Sequence, residues 1–124
     1  MNMKFYQCSV CGQIVGVVKE TGAVLHCCGQ AMQQLIAGTT DAAKEKHIPV
    51  AVRTGNMLEV TVGSVLHPML EEHYIEWIAV QTNFGCQRKV LMPGSEPKAC
   101  FALCDGEEVE AVYAYCNLHS LWKA

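Results

Sequence analysis

The chain has 124 residues, 51% of them hydrophobic, and a formal net charge of −3 at pH 7. This length suits one ordinary domain, or a small domain joined to a larger one that has its own core. The weakly acidic balance and the lack of a basic run argue against nucleic acid as a partner. The first residues contain no apolar signal segment, and no stretch approaches the about 18 apolar residues of a membrane span, so we expect a cytoplasmic protein without a membrane partner.

Eight cysteines are present in this short chain. In a cytoplasmic protein, cysteines are more often metal ligands or plain thiols than disulfide partners. Four of them lie near the N-terminus, as Cys8 and Cys11 with two residues between them and as the adjacent pair Cys27 and Cys28. Four thiolates around one ion make a tetrahedral site that suits zinc or a single iron. The sequence therefore predicts a four-cysteine metal site and leaves its metal open.

The residues between these cysteines predict two short strands joined by a turn. Ile14 to Val18 is rich in β-forming residues, Thr21-Gly22 is a turn signal, and Val24-Leu25 begins a returning strand. A segment shorter than about 40 residues rarely builds a sufficient core, so binding of a metal would supply its folding energy.

The remainder of the chain is predicted to be a separate β-domain. Ala37 to Ala43 loses hydrophobic content, as a linker does, so the domains are placed at residues 1–36 and 37–124. Leu58, Val60 and Val62 alternate with polar residues, which predicts a half-buried strand. Further β-rich runs lie at Val50–Val52, Tyr74–Val80, Cys86–Leu91, Ala99–Leu103 and Val109–Tyr115. Six or seven strands at this spacing predict an all-β fold, an immunoglobulin-like antiparallel β-sandwich.

Four histidines and one cysteine of this domain carry ligand chemistry. They are His47, His67, His73, Cys116 and His119. Cys116 and His119 are predicted to end the last strand, and loops from different strands of a sandwich can meet at one end. Four neutral imidazoles and one thiolate are too many for a closed tetrahedral zinc site. They suit a redox-active iron that keeps one position open for a substrate.

Two other classes of function remain open at this point. An electron-transfer copper protein could use Cys116 and His119, but it would want a methionine shortly afterwards, and Ser120 to Ala124 contain none. A zinc-knuckle interaction module would account for the N-terminal cysteines alone and would leave the histidines without a role. The other three cysteines match no ligand position and are expected to be free or buried thiols: Cys86, Cys100 and Cys104.

Taken in order, these motifs resemble the desulfoferrodoxin family of two-iron superoxide reductases, over essentially the whole chain. The N-terminal cysteines resemble a small rubredoxin- or desulforedoxin-like iron domain. The rest of the resemblance is carried by Lys44-Glu45-Lys46-His47, by residues 63–69 around His67, by Tyr74-Ile75-Glu76-Trp77-Ile78 and by Tyr115-Cys116-Asn117-Leu118-His119. It implies two iron ions per chain, one Fe(Cys)4 centre and one Fe(His)4Cys centre. In the second centre, four imidazoles would lie in a plane, Cys116 on the axis, and the opposite axial position would be open.

The same resemblance implies an activity and partners. Superoxide, one electron and two protons would give hydrogen peroxide without dioxygen, as a defence against oxidative stress in anaerobes or microaerophiles. The electron would come from a rubredoxin-like donor, the Fe(Cys)4 centre would be an accessory redox site, and the protein would be a homodimer. Lys46 would attract the anion and hydrogen-bond the developing peroxide. Glu45 would be the carboxylate that binds the oxidised iron and leaves on reduction.

Overall fold

In the computed structural model, which describes residues 3–124, the chain forms two compact units, one up to Ile36 and one from Ala37 to Ala124. Apart from one helical turn, the regular structure of both units consists of antiparallel strands, so the predicted all-β fold class is confirmed. Among the described residues, no helix has the length and apolar character needed to cross a membrane.

The first unit contains five very short strands and almost no core. The strands are β1 (Phe5–Gln7), β2 (Ile14–Gly16), β3 (His26–Cys27), β4 (Gln30–Ala31) and β5 (Gln33–Gln34). β1 lies between β2 and β5, and β3 pairs with β4 in a separate hairpin. Phe5 and Cys8 are the only buried residues between residues 3 and 36. So little buried surface cannot offset the entropy of ordering the chain, so this unit depends on ligation for its stability.

The path of the first unit differs from the sequence prediction. β2 covers only part of the predicted Ile14–Val18 strand, and the predicted return at Val24-Leu25 forms no strand. The hairpin instead consists of β3 and β4. Its turn is at Cys28 and Gly29, which both have positive φ (54° and 75°). Positive φ at both central residues is the pattern of a tight two-residue hairpin turn, and it places the two adjacent cysteines at the hairpin tip.

The second unit is a two-layer sandwich preceded by a single helical turn. Its elements are α1 (Lys44–His47), β6 (Pro49–Thr54), β7 (Met57–Val62), β8 (Ile75–Thr82), β9 (Gly85–Val90), β10 (Lys98–Ala102), β11 (Val109–Cys116) and β12 (Ser120–Lys123). One sheet has the order β10-β7-β6 and the other the order β12-β11-β8-β9, with antiparallel pairing throughout. Seven strands in two packed sheets confirm the predicted sandwich.

The hydrophobic core lies between the two sheets and includes one of the candidate metal ligands. Leu58, Val60 and Val62 of β7 are 2%, 0% and 0% exposed, as their alternation with polar residues predicts. They belong to one cluster with side chains of β8 and β11, and that cluster includes Cys116, which is itself fully buried. A candidate ligand is thus part of the hydrophobic core.

The sequence prediction missed two elements of this unit. Cys116 ends β11, but His119 does not end the last strand, because β12 follows and pairs with β11 from Tyr113–Lys123 to Cys116–Ser120. Leu121 and Trp122 are buried, yet two apolar residues are too short a run to signal a strand. Helix α1 has four residues, which is likewise too short for a helical period.

Gly63 allows α1 to lie against the turn that follows β7. A Cβ at this position would lie 2.5 Å from the backbone oxygen of Glu45 and 3.0 Å from that of Ile48. The N–H of Val65 donates to the same Glu45 oxygen at 2.9 Å. The close backbone approach that Gly63 permits therefore fixes the helical turn that carries His47.

We expect Gly63→Ala to lower the free energy of unfolding by about 1–3 kcal/mol, because the methyl group must displace backbone rather than a flexible side chain. The measurement is denaturant unfolding of the second unit followed by tryptophan fluorescence. Ser64→Ala is the matched control in the same turn, since it removes only a 3.3 Å hydrogen bond to the backbone oxygen of Glu45 and adds no atoms. Equal stability of the two variants would contradict the steric argument.

Candidate metal centres

Four imidazole rings of the second unit stand at the corners of a nearly regular square. Neighbouring ring centroids are 4.6 Å apart for His47–His67 and 4.6 Å for His67–His73. The other two sides measure 5.1 Å for His73–His119 and 4.9 Å for His119–His47. The diagonal from His47 to His73 is longer, 6.4 Å. Rings that meet edge to face around a common centre can each direct one nitrogen toward it.

Separate elements deliver these rings to one end of the sandwich. His47 is the last residue of α1, and His67 lies in the turn after β7. His73 lies just before β8, and His119 lies in the tight turn between β11 and β12. The structure thus brings together four side chains that are far apart in the sequence.

Backbone carbonyls fix which nitrogen of two rings faces the centre. The Nδ1 atoms of His47 and His67 lie 2.7 Å from the carbonyl oxygens of Ala43 and Pro68. Because a carbonyl oxygen only accepts, each Nδ1 carries the hydrogen and each Nε2 presents a lone pair. These two Nε2 atoms are 3.2 Å apart.

The other two rings add nitrogens to the same point. His119 Nδ1 lies 3.1 Å from His47 Nε2. His73 Nε2 is buried and has no hydrogen-bond partner within residues 3–124. Several nitrogens therefore converge where the described protein atoms supply no cation.

The pKa values of three of these histidines are lowered, so those rings resist taking up protons. Burial lowers the pKa of His67 to about 4, with the charges of the neighbouring rings as a smaller cause. Burial also lowers the pKa of His47 and of His73, with further lowering from neighbouring rings and from Lys46. Neutral imidazoles with converging lone pairs are a metal-binding set.

The fully buried Cys116 sulfur completes the set from the core side. It lies 3.8 Å from His119 Nδ1, and the ligand atoms of His47, His67, His73 and Cys116 all lie within 4.8 Å of one another. Ligand atoms about 2.0–2.3 Å from a shared ion are separated by such distances. The donor set therefore fits one transition-metal ion.

Two backbone N–H groups tune this sulfur. Burial raises the pKa of the Cys116 thiol, while hydrogen bonds from the N–H groups of Leu118 and His119 oppose that rise. Without metal the thiol keeps its proton at neutral pH, and a bound ion would displace it. His73 and His119 are half-buried whereas His47 and His67 are buried, so the site reaches solvent beside His73 and His119.

The predicted catalytic pair directly precedes His47 on α1. Glu45 and Lys46 are both exposed on α1. Neither side chain forms an ion pair or a hydrogen bond with another residue of the described chain. Lys46 is close enough for its charge to lower the pKa of both His47 and His73, after burial and the neighbouring rings.

Two residues outside the ligand set support the square, and the sequence had indicated no role for one of them, Asn117. The Trp122 ring lies 4.8 Å from the His47 ring, and its Nε1 donates to the backbone oxygen of His119 at 3.0 Å. Asn117 joins the turn after β11 to the residues on either side of His73. Both residues lie within two to three positions of His119 in the sequence.

The four N-terminal cysteines also lie together. Their sulfur atoms are all within 4.8 Å of one another, with Cys11 to Cys27 at 3.7 Å and Cys27 to Cys28 at 3.9 Å. Corners of a tetrahedron with bonds of about 2.3 Å are about 3.8 Å apart, so these distances fit a tetrahedral site of four sulfurs. The three remaining cysteines are exposed and belong to no such group within the described chain: Cys86, Cys100 and Cys104.

Cys8 is prepared to bind metal as a thiolate. The N–H groups of Cys11 and Val10 lie 3.5 Å and 3.4 Å from its sulfur and lower its pKa to about 6. Hydrogen bonds with the thiols of Cys8 and Cys11 instead raise the pKa of Cys27 to about 12. The two shifts favour a thiolate at Cys8 and a protonated thiol at Cys27 before a cation binds.

Comparisons with known proteins agree on one family. The desulfoferrodoxin model matches residues 39–124, and the model of the desulfoferrodoxin N-terminal domain matches residues 1–35. A desulfoferrodoxin homolog of Archaeoglobus fulgidus is 52% identical over 122 residues, 98% of this chain and 96% of the relative. The desulfoferrodoxin of Nitratidesulfovibrio vulgaris is 46% identical over 121 residues, 98% of this chain and 94% of the relative.

A solved structure shares the fold. The superoxide reductase from Treponema pallidum superposes with a TM-score of 0.84 at 37% identity, covering 100% of this chain and 99% of that one. The matched length includes both units of this chain.

Lowering the pH should destabilise the metal-free second unit already above the pH range in which carboxylates titrate. The unfolded chain binds protons at its histidines near pH 6.5, whereas folded His67 resists protonation down to about pH 4. Protonation therefore favours the unfolded chain, so the stability of the folded unit is fully present above about pH 6.5 and falls as the pH drops toward 4. Denaturant unfolding of the metal-free protein between about pH 7 and pH 4 measures the slope, which His67→Gln should reduce. An unchanged slope in that variant would contradict the assignment.

Removal of metal should unfold the first unit selectively. With only two buried side chains among residues 3–36 it has almost no hydrophobic core, so chelation should abolish its chemical-shift dispersion while the sandwich spectrum persists. Cys11→Ser should reproduce the loss, and Cys100→Ser, which alters an exposed thiol outside both clusters, should not. A folded first unit in the metal-free protein would refute this dependence.

Proposed function

The chain belongs to the desulfoferrodoxin family, and we propose that it is a superoxide reductase. Its reaction combines one superoxide, one electron and two protons into one hydrogen peroxide. The observation that carries this function is the square of four imidazoles closed on its core side by a buried thiol. Four nitrogens and one sulfur leave an octahedral ion one free position, which a redox enzyme needs for a small substrate.

Each unit has one iron centre in this proposal. Residues 1–36 form a desulforedoxin-like domain whose iron is held by Cys8, Cys11, Cys27 and Cys28. Residues 37–124 form the catalytic domain, in which His47, His67, His73, His119 and Cys116 hold the second iron. When bound there, iron supplies the one-electron redox change and the coordination position at which a small anion is attracted and reduced.

The protein's own groups prepare this position. The Ala43 and Pro68 carbonyls keep two imidazole lone pairs directed inward. The burial of Cys116 excludes water from the core side, which leaves the solvent side for the substrate. The Cys116 thiolate would donate electron density to a metal held in this site.

Lys46 is the proposed electrostatic guide. Its ammonium has no ion-pair partner within residues 3–124, so its charge is available to an incoming anion. It can also donate a hydrogen bond to an oxygen as negative charge develops there. Glu45, equally unpaired on the same helical turn of the described chain, is the proposed carboxylate that would bind a metal held there when it is oxidised and would leave it on reduction.

The partners follow from the balance of the reaction and from the surface. The electron must come from outside the catalytic domain, and we propose a rubredoxin-like protein, with the Fe(Cys)4 centre as an accessory electron-transport site. We also propose a homodimer, since β6 is an edge strand with Val50 and Val52 exposed. All eight cysteines are free thiols, which suits the reducing cytoplasm proposed as its location.

Replacing the axial sulfur should separate this function from simple electron transfer. We expect Cys116→Ser to lower the rate with superoxide more than about 100-fold, beyond the cost of losing an outer hydrogen bond, and to change the colour of the iron site. The measurements are pulse radiolysis, iron content and the visible spectrum, with Cys100→Ser as the control. A normal rate in Cys116→Ser would remove the thiolate from the mechanism.

Removing the Lys46 charge should slow encounter with superoxide. We expect Lys46→Ala to lower the second-order rate constant about tenfold at low ionic strength and to reduce its dependence on salt. Lys44→Ala removes the same charge from the same exposed helical turn and serves as the matched control. Equal rates for the two variants would show that net charge, rather than the position of Lys46, governs the encounter.

A further inference from the structure

We propose that Asn117 is a positioning residue that holds His73 at its corner of the square. The inference deepens the proposed function and rests on it for its catalytic consequence. Its geometric basis is a set of hydrogen bonds that join the turn after β11 to the two residues flanking His73.

Asn117 binds the chain on both sides of the ligand. Its side-chain oxygen Oδ1 accepts the N–H of Tyr74 at 2.9 Å. Its Nδ2 donates to the carbonyl oxygen of Glu72 at 3.0 Å. Its own backbone N–H donates to the carbonyl oxygen of Tyr74 at 3.2 Å. His73 is therefore the one residue enclosed between two anchored neighbours.

His73 needs this external support because its ring lacks the usual kind. His47 and His67 are each oriented by a ring N–H donated to a backbone carbonyl. Neither ring nitrogen of His73 has a hydrogen-bond partner among residues 3–124. Metal-binding histidines almost always have such an outer hydrogen bond, and its loss costs affinity. The His73 ring must therefore be placed through its backbone.

The local structure around His73 does not supply that placement alone. Leu70 and His73 exchange two backbone hydrogen bonds, of 2.9 Å and 3.1 Å. These bonds close a small loop upon itself, and neither of them joins the loop to β11. Asn117 connects the loop to β11, because it directly follows Cys116, the residue whose sulfur is fixed in the core. One amide thus couples the position of the His73 ring to that of the Cys116 sulfur.

The sandwich offers a matched control at the other end of β8. Asn83 follows β8 and repeats the pattern: Oδ1 accepts the N–H of Glu108 at 2.7 Å, and Nδ2 donates to the Gly106 oxygen at 3.1 Å. Its backbone N–H donates to the Glu108 oxygen at 3.1 Å. Asn83→Ala therefore removes equivalent bonds in a loop that carries no candidate ligand.

The test uses Co²⁺ binding by the full-length metal-free protein, followed by visible absorption. We expect Asn117→Ala to weaken Co²⁺ binding at the histidine–cysteine centre about 10–100-fold and to alter its absorption bands. The four-cysteine centre in the same chain is the internal reference and should be unchanged. Asn83→Ala should lose comparable stability yet bind Co²⁺ as the parent does. Equal Co²⁺ affinity and spectra for the two alanine variants would overturn the proposal.

Two further variants keep the test decisive. Asn117→Asp retains the acceptor for the Tyr74 N–H and loses the donor to Glu72, so it should fall between parent and Asn117→Ala; behaviour identical to the parent would overturn the role of the Nδ2 bond. In a His73→Ala background, Asn117→Ala should cause no further loss of Co²⁺ affinity. Additive losses would show that Asn117 acts elsewhere. Failure of the parent iron protein to reduce superoxide would refute the proposed function and leave these Co²⁺ comparisons intact.

Discussion

The second unit is organised around mutual repulsion that only a cation relieves. Two Nε2 lone pairs face each other at 3.2 Å, a third nitrogen is buried without a partner in the described chain, and burial keeps the rings from taking up protons. Such an arrangement is unfavourable in the metal-free protein. The sandwich tolerates it because the core and the carbonyl hydrogen bonds hold the rings in place. This arrangement lowers the free energy of unfolding of the metal-free protein. In return it raises the affinity for the metal, because the ligands are already in place before the metal binds.

The ligands divide between rigid and adjustable parts of the fold. Cys116 ends a central strand and belongs to the hydrophobic core, so the sulfur position is as fixed as the sandwich itself. The imidazoles come from turns and from a four-residue helix, and each needs its own support. Carbonyl acceptors serve His47 and His67, whereas Trp122 serves the backbone of His119. As a result, the Cys116 sulfur keeps a fixed position, while the surrounding loops determine access to the metal site.

Two kinds of feature could be predicted from the sequence: strands with a regular hydrophobic pattern, and clusters of residues with distinctive ligand chemistry. The alternation around Val60 predicted a half-buried strand, and strand spacing predicted a sandwich, because burial imposes a period of two on each strand. Ligand types predicted both clusters, since few other roles need so many cysteines and histidines. Helix α1 and β12 were missed because four residues are too few to show a period. Asn117 was missed because its role depends on backbone atoms of residues 72 and 74, which no local pattern reveals.

The burial gradient across the square also gives metal exchange a preferred route. His73 and His119 lie on half-buried turns, while the sulfur stays inside the core. Segments of this kind open by local fluctuations that require far less free energy than global unfolding. A bound ion would therefore lose one imidazole ligand at a time, while the remaining ligands keep their positions. The rates of metal binding and release would then depend on local opening of these two turns. The lifetime of the bound metal could be changed without changing the melting temperature of the domain.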